Sequence, residues 1–310
     1  MFMPLKRETP TVALDSAFHQ FLQEAAKTGE IDSAMLIQKG AVTEEVWFPP
    51  AASEKPHICY SITKTVLCTA VGFAVQEGLI SEEDRVVDFF PEIKSGDSGF
   101  KTDLRLSHLL TMSCGHDTLP PVEAETNPDL FWKHPISHQP GTHFLYSNPG
   151  AHLISCMLHK VLGMGINEYL TPRLWEPLGI ETPQWEKDAH GIEIGGFGLY
   201  LKTEDLAKLG LFWQQQGNWN GTQLLNVQWF QKAISKQIDT TGNHNGPDWE
   251  QGYCYLLWRC RPDGVYRMDG YLGQFVIVFP KQEAVLVLTE NNPNTQRLLD
   301  TVWRFLLPIL

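Results

Sequence analysis

Ser61 and Lys64 stand three residues apart in "YSITKTVLC". A serine hydroxyl is a poor nucleophile until a base takes its proton. A lysine desolvated among apolar neighbours has a lowered pKa and can be that base. Residues i and i+3 share a helix face, so the amine can reach the hydroxyl. The placement has a local cost. A capping box wants Glu or Gln three residues after the serine, and a cation in the first turn opposes the helix dipole by about 0.3–1 kcal/mol. A helix start also offers free N–H groups, one of which can stabilise an oxyanion. The tetrapeptide alone is a weak signal, because "SGFK" repeats the pattern at Ser98 and Lys101 in a Gly-rich loop. Ser61 could equally be a plain N-cap.

A serine–lysine pair needs a third group to pass the proton to a leaving group. "FLYSNPGAHL" offers Tyr146 and Asn148, the one Y-x-N in the chain. Asn148-Pro149 also reads as an N-cap followed by proline at the first helical position, and cap and site roles are compatible. Other candidates are weaker. Glu123, Glu125 and Asn127 in "PVEAETNPD" read as solvated loop residues. His134, His138 and His143 are interrupted by Pro135 and Pro140 and have no acidic or cysteine partner at metal-ligand spacing, so no metal site is expected. His57 lies near Ser61 in sequence, but its extended segment leaves its direction open. Trp249, Trp258 and Tyr271 could line a pocket, but core packing is the default reading for aromatics near strands. No G-x-S-x-G surrounds any serine, and Gly195-Gly196 fits no dinucleotide pattern.

These groups need elements to hold them. The run from Thr65 to Val75 is apolar or small on nearly every side and predicts a buried helix that ends near Gly78. "ALDSAFHQFLQEAAKTGE" predicts an amphipathic first helix. "IDSAMLIQKG" and "EEVWFP" predict a hairpin turning at Lys39-Gly40. Ser81 to Asp84 reads as a fresh helix start. From about 85 to 190, helical patterns alternate with Pro- and Gly-rich loops. Helices follow at about 203–216 and 226–236. The β-rich runs "YCYLLWRC", "YLGQFVIVFP" and "EAVLVLTEN" then precede a closing helix. Strands at both ends and helices between them predict an α/β (α+β) fold. Its antiparallel sheet comes from N- and C-terminal segments and is flanked by helices. The expected division is a sheet subdomain of residues 1–84 and 191–310, with an inserted helical subdomain of residues 85–190.

The 310 residues are 43% hydrophobic, enough for a full core. A net charge of -12 argues against a nucleic-acid phosphate track. No run has the length of a secretory signal or a membrane span, so a soluble, cytoplasmic protein with no membrane partner is expected. The six cysteines lack C-x-x-C pairing and read as reduced core residues.

"SITK" opening a buried helix, "YSN" about 85 residues later and "GYLGQFVIVFP" near the C-terminus resemble the serine β-lactamase and penicillin-binding protein superfamily. The match is closer to the branch of class C β-lactamases, D-alanyl-D-alanine carboxypeptidases, family VIII esterases and 6-aminohexanoate-dimer hydrolases. "LRLSHLLTMSCGHD", the segment from "PGTHFLYSNPG" to "ETPQW" and "GGFGLYLKTEDLAKLG" agree in order and spacing, so the resemblance spans roughly residues 30–305. It implies a β-lactamase/transpeptidase-like fold and no cofactor. It implies Ser61 as the acyl-enzyme nucleophile, Lys64 assisting its deprotonation, and Tyr146 as general base or proton shuttle that then helps activate the deacylating water, with Asn148 bonded to Lys64 and substrate. The oxyanion hole would combine the Ser61 N–H with that of Tyr271. The third motif departs from the family. Met268-Asp269-Gly270 stands where many members have Lys, His or Trp, then a small residue, then Gly. No cation is there to grip a substrate carboxylate, and Asp269 would repel one. Arg267 is expected to point to the opposite face of the strand. The resulting expectation is a serine hydrolase acting on a small neutral or amine-bearing ester or amide. Two alternatives stay open: a non-catalytic scaffold of the same fold, and an acyltransferase using the same acyl-enzyme.

Overall fold

The computed structural model describes residues 4–29, 31–91 and 99–310. Ser98 of the second S-x-x-K therefore lies outside the described residues. Helix α1 (Val12–Ala26) is capped by the Thr11 side chain and buries Leu14, Phe18, Phe21 and Ala25 on one stripe. Strands β1 (Ile31–Gln38) and β2 (Ala41–Trp47) form the expected hairpin. Lys39 and Gly40 both adopt positive φ (51° and 82°), which gives a turn whose twist suits paired strands. A short pair joins β3 (His57–Ile58) to β4 (Tyr200–Leu201), and another joins β5 (Asn218–Trp219) to β6 (Thr222–Gln223).

The C-terminal strands are β7 (Trp258–Arg259), β8 (Tyr266–Gly270), β9 (Gln274–Phe279) and β10 (Ala284–Glu290). They complete a six-stranded antiparallel sheet in the order β2-β1-β10-β9-β8-β7. N- and C-terminal segments thus meet at the β1–β10 ladder. β9 and β10 are buried throughout, as their unbroken apolar runs require of strands covered on both faces. Two strand expectations change. Of "YCYLLWRC" only Trp258 and Arg259 enter the sheet. "YLGQFVIVFP" is divided by a turn at 271–273, where Leu272 and Gly273 have φ of 64° and 91°.

Helix α2 (Ile62–Gln76) is buried from Ile62 to Ala74 and packs between β8 and a helical layer. Each fully buried Val, Leu or Phe of that helix contributes about 1.5–3 kcal/mol, so the helix can hold one costly polar group. The helical layer comprises α3 (Leu106–Leu110), α4 (Pro128–Lys133), α5 (Asn148–Leu162), α6 (Ile166–Leu170) and α7 (Glu176–Leu178). Among the described residues between 59 and 199, none joins the six-stranded sheet. Ser81 to Asp84 is a turn closed by the Ser81 N–H on Asp84, and leads into a short 3-10 helix at Val86–Phe89 rather than an α-helix. α8 (Thr203–Gln214) lies on the sheet, with Gly210 against Val276 and Val285. α9 (Val227–Ala233) follows, and α10 (Gln296–Phe305) packs beside α1. All six cysteines are free and buried.

Candidate active site

Ser61 sits at the N-cap of α2, but its side chain makes no capping bond, so the plain-cap reading fails. Tyr60 before it is held at φ 46°, a left-handed conformation rare for a bulky residue, and this turns the chain sharply into the helix. Lys64 is 1% exposed. Its Nζ lies 2.8 Å from Ser61 Oγ, 2.7 Å from Asn148 Oδ1 and 2.7 Å from the Gly196 carbonyl. Burial pulls its pKa down to about 7, although Glu125 and Asp269 favour the charged form.

The three contacts determine what the amine can do. The Gly196 carbonyl and Asn148 Oδ1 are acceptors and take two N–H bonds. In the neutral amine the one remaining lone pair then faces the Ser61 hydroxyl. This is the geometry of a base on a nucleophile. Gly196 was not singled out in the sequence, because a backbone carbonyl leaves no mark on residue type. The signal was the Gly195-Gly196 pair. A Cβ on Gly195 would lie 2.3 Å from the Ala151 carbonyl, so only glycine lets this segment press against α5 and reach Lys64.

Tyr146 and Asn148 arrive together at the start of α5. Ser147, not Asn148, caps that helix, accepting from the Gly150 N–H at 3.0 Å, with Pro149 in the first turn. Asn148 is thereby free to bond Lys64. The Tyr146 ring lies 4.8 Å from Lys64 Nζ and stacks on Trp258 at 5.9 Å. Burial raises its phenol pKa, and hydrogen bonding with Ser61 offsets part of that rise. A phenol held neutral in this way can relay a proton.

The opposite wall comes from β8 and the turn after it. A Cβ on Gly270 would lie 2.5 Å from the Cys59 carbonyl, so glycine allows β8 to close against the segment before Ser61. Ser61, Tyr146, Asp269, Gly270 and Tyr271 line one cleft of about 280 Å³. Trp249, Trp258 and Tyr271 line it too, the less favoured of the two readings their sequence positions allow; Tyr271 is 63% exposed, while the two tryptophans are buried behind the opening. Met268 is buried and outside the cleft lining, so the third motif presents only Asp269 and Gly270 there.

Arg267 corrects the sequence reading. It is two residues from Asp269 and on the same strand face, not the opposite one. Its Nε donates to Asp269 Oδ2 at 2.8 Å, and its guanidinium lies 4.5 Å from the centre of a Trp249 ring. Burial raises the Asp269 pKa, while Arg267 and Lys64 hold it down. The cleft wall is therefore a carboxylate already paired from behind.

Three residues set aside from the sequence also change standing. Glu125 is not merely a solvated loop acid: its carboxylate accepts from Asn148 Nδ2 at 2.8 Å. Glu123 is exposed, and Asn127 caps α4. The His138–His143 pair does have an acidic neighbour, since Asp117 accepts from His138 Nε2 at 3.1 Å. Ligand atoms of these three residues lie within 4.8 Å of one another, and the two imidazoles stack at 4.3 Å. Asp117 lies 21 residues before His138, a separation that spacing rules do not cover. His134 bonds Thr118 instead. His57 lines a neighbouring cleft, not the Ser61 cleft, and burial lowers its pKa to about 4.

Compared with known proteins, residues 15–307 match the Beta-lactamase family profile. The chain belongs to the Beta-lactamase family. This family comprises serine hydrolases, and the antiparallel sheet with its helices is the β-lactamase/transpeptidase-like fold. The 6-aminohexanoate-dimer hydrolase of Paenarthrobacter ureafaciens is 20% identical over 94% of this chain and 81% of its own. A Bacillus anthracis structure, provisionally assigned as a 6-aminohexanoate-dimer hydrolase, superposes with a TM-score of 0.81 at 18% identity, covering 99% of this chain and 87% of the other. A family VIII carboxylesterase superposes with a TM-score of 0.71 at 16% identity, covering 97% of this chain and 99% of the other. At these identities the structural likeness establishes the fold. In this Beta-lactamase-family chain, no helix among the described residues is long and apolar enough to cross a membrane.

Proposed function

We propose that this chain hydrolyses a small neutral or amine-bearing ester or amide through an acyl-enzyme on Ser61. The observation that carries this reading is the Lys64 amine, desolvated and bonded to two carbonyl-type acceptors, with its remaining direction on Ser61 Oγ at 2.8 Å. Neutral Lys64 takes the hydroxyl proton as Ser61 Oγ attacks the substrate carbonyl carbon. The tetrahedral oxyanion is held by the N–H groups of Ser61 and Tyr271. Lys64 and Tyr146 return the proton to the departing alkoxide or amine. Water then attacks the acyl carbon and passes one proton through Tyr146 to neutral Lys64; the bond from the acyl carbon to Ser61 Oγ breaks, Lys64 returns that proton to Ser61 Oγ, and the acid leaves. No cofactor or metal takes part in these steps.

The substrate class follows from the opposite wall. Asp269 faces the cleft with Arg267 behind it, and no cation stands at the third motif to bind a substrate carboxylate. The aromatic walls of Tyr146, Trp258 and Tyr271 suit an apolar acyl or alcohol group. Asn148 and Gly270 would lie along the substrate. The Ser61–Lys64–Asn148 network supports an enzyme over a binding scaffold, since it aims a buried amine at a hydroxyl that opens on the cleft.

A substrate panel tests this reading. p-Nitrophenyl esters with neutral, cationic and anionic acyl groups are compared with a β-lactam, using the natural chain and Ser61→Ala. Turnover of neutral and cationic esters, lost in the variant, is expected. Efficient β-lactam turnover with inert esters would overturn the substrate class. Turnover unchanged in Ser61→Ala would overturn the nucleophile.

A further inference from the structure

The amide of Asn148 has a donor end and an acceptor end, and in this site both are engaged. Oδ1 lies 2.7 Å from Lys64 Nζ, and Nδ2 lies 2.8 Å from Glu125 Oε1. While Lys64 carries its proton it is a donor only, and this alone keeps Oδ1 turned toward it. The neutral amine is different, because it can also accept. An amide turned over in that state would donate Nδ2–H to the lone pair that must take the Ser61 proton. The base would be blocked in the protonation state in which it works.

Glu125 prevents that. An ionised carboxylate only accepts hydrogen bonds, so a turned amide would set its own oxygen against another acceptor, an unfavourable contact in a partly buried place. We infer that Glu125 is a positioning residue that locks the Asn148 amide so that neutral Lys64 keeps its lone pair on Ser61. This inference rests on reading Ser61 and Lys64 as nucleophile and base. Glu125 closes the short 3-10 turn Val122–Glu125 just ahead of α4, and is half-buried there.

The carboxylate has a second effect on Lys64. The groups facing the amine are Ser61 on its own helix, the Tyr146 ring and Asn148 at the start of α5, Glu125 from the 3-10 turn, and Asp269 from β8 with Arg267 behind it. The two acids favour the ammonium form against burial. Removing the Glu125 charge therefore makes Lys64 lose its proton at lower pH. The two effects are read separately, the lock in the plateau and the charge in the titration midpoint. Glu125→Gln keeps a hydrogen-bond partner for Asn148 but loses the charge and, because its amide can also donate, the acceptor-only lock. Glu125→Ala loses the partner as well.

The test is the pH profile of kcat/KM on p-nitrophenyl acetate for the natural chain and both variants. Alongside it, the 13C resonance of Lys64 Cε is titrated, assigned as the signal lost in Lys64→Met. In Glu125→Ala the plateau is expected to fall about tenfold, the effect of about 1.4 kcal/mol. In both variants the acid limb and the Cε midpoint should move down by about half a pH unit, which is about threefold in neutral amine below the midpoint. In Glu125→Gln the plateau should fall too, because the new amide can donate to a turned Asn148 oxygen. A lower melting temperature with plateau, limb and midpoint unmoved would mean a purely structural role and overturns the inference. If the natural chain turns over no ester and takes no fluorophosphonate on Ser61, the hydrolase reading falls. The Cε titration still decides the link to Glu125, since a midpoint unmoved in Glu125→Ala contradicts it.

Discussion

Among the described residues, two lysines are buried, on two different helices. Lys64 on α2 is 1% exposed and Lys208 on α8 is 0% exposed. Burial lowers both pKa values, and in each case nearby acids pull back. Their partners differ. Lys208 donates to the Gly179 carbonyl at 2.9 Å, the residue that ends α7 in the left-handed conformation, with Asp205 and Glu204 close by. It ties a helix end to the sheet layer. Lys64 meets a hydroxyl at the mouth of a cleft; of its acids, Glu125 stands behind Asn148, and Asp269 stands on the opposite wall with Arg267 behind it. A buried lysine is thus no sign of chemistry by itself. What distinguishes the two is a lone pair with a reactive proton in front of it.

Substitutions should separate the two regions. Ser61→Ala and Lys64→Ala are expected to cut ester turnover about a thousandfold or more, with cooperative unfolding retained. Lys208→Met should do the reverse, leaving kcat/KM within about twofold and lowering stability by about 1–3 kcal/mol in denaturant unfolding, as the Gly179 carbonyl loses its donor. If Lys208→Met abolished turnover while Lys64→Ala spared it, the contrast drawn above would collapse. Tyr146→Phe comes next, at about a hundredfold in turnover, with Ser61 labelling by a fluorophosphonate reduced less because that step needs no protonated leaving group of the same kind. Equal losses in both assays would place Tyr146 in activation of Ser61 instead. Asp269→Asn is the smallest. It should reduce the preference for a cationic over a neutral ester by about three- to tenfold and leave the neutral ester nearly unchanged. An unchanged preference would remove Asp269 from substrate choice.

The legible part of this site was what side-chain types announce at helix starts. Ser61 and Lys64 stand out because a cation opposes the dipole of a buried helix, and Tyr146 with Asn148 because Y-x-N occurs once, at a proline-marked start. The sheet was legible from the same logic, since continuous apolar runs such as "EAVLVLTEN" fit strands covered on both faces. What stayed hidden had no local mark. Gly196 acts through its carbonyl, and Glu125 lies in a loop 23 residues before its partner Asn148. The Asp117 carboxylate reaches His138 only through the folding of one loop on another. Arg267 was misplaced for a simpler reason: its distance of two residues from Asp269 puts both on one strand face, where adjacency would have opposed them.

The central claim is that Ser61 is activated by a lysine that is half-neutral near physiological pH. The rate at which a fluorophosphonate labels the intact chain, followed by mass spectrometry from pH 5 to 9, measures this directly. The sign follows from the lowered pKa: the amine must be neutral to act, so the rate should rise with pH through about 7 and then level off, with the added mass on the Ser61 peptide. A rate flat across that range, or a limb near the ordinary lysine value, or a label on any other residue, would contradict the account.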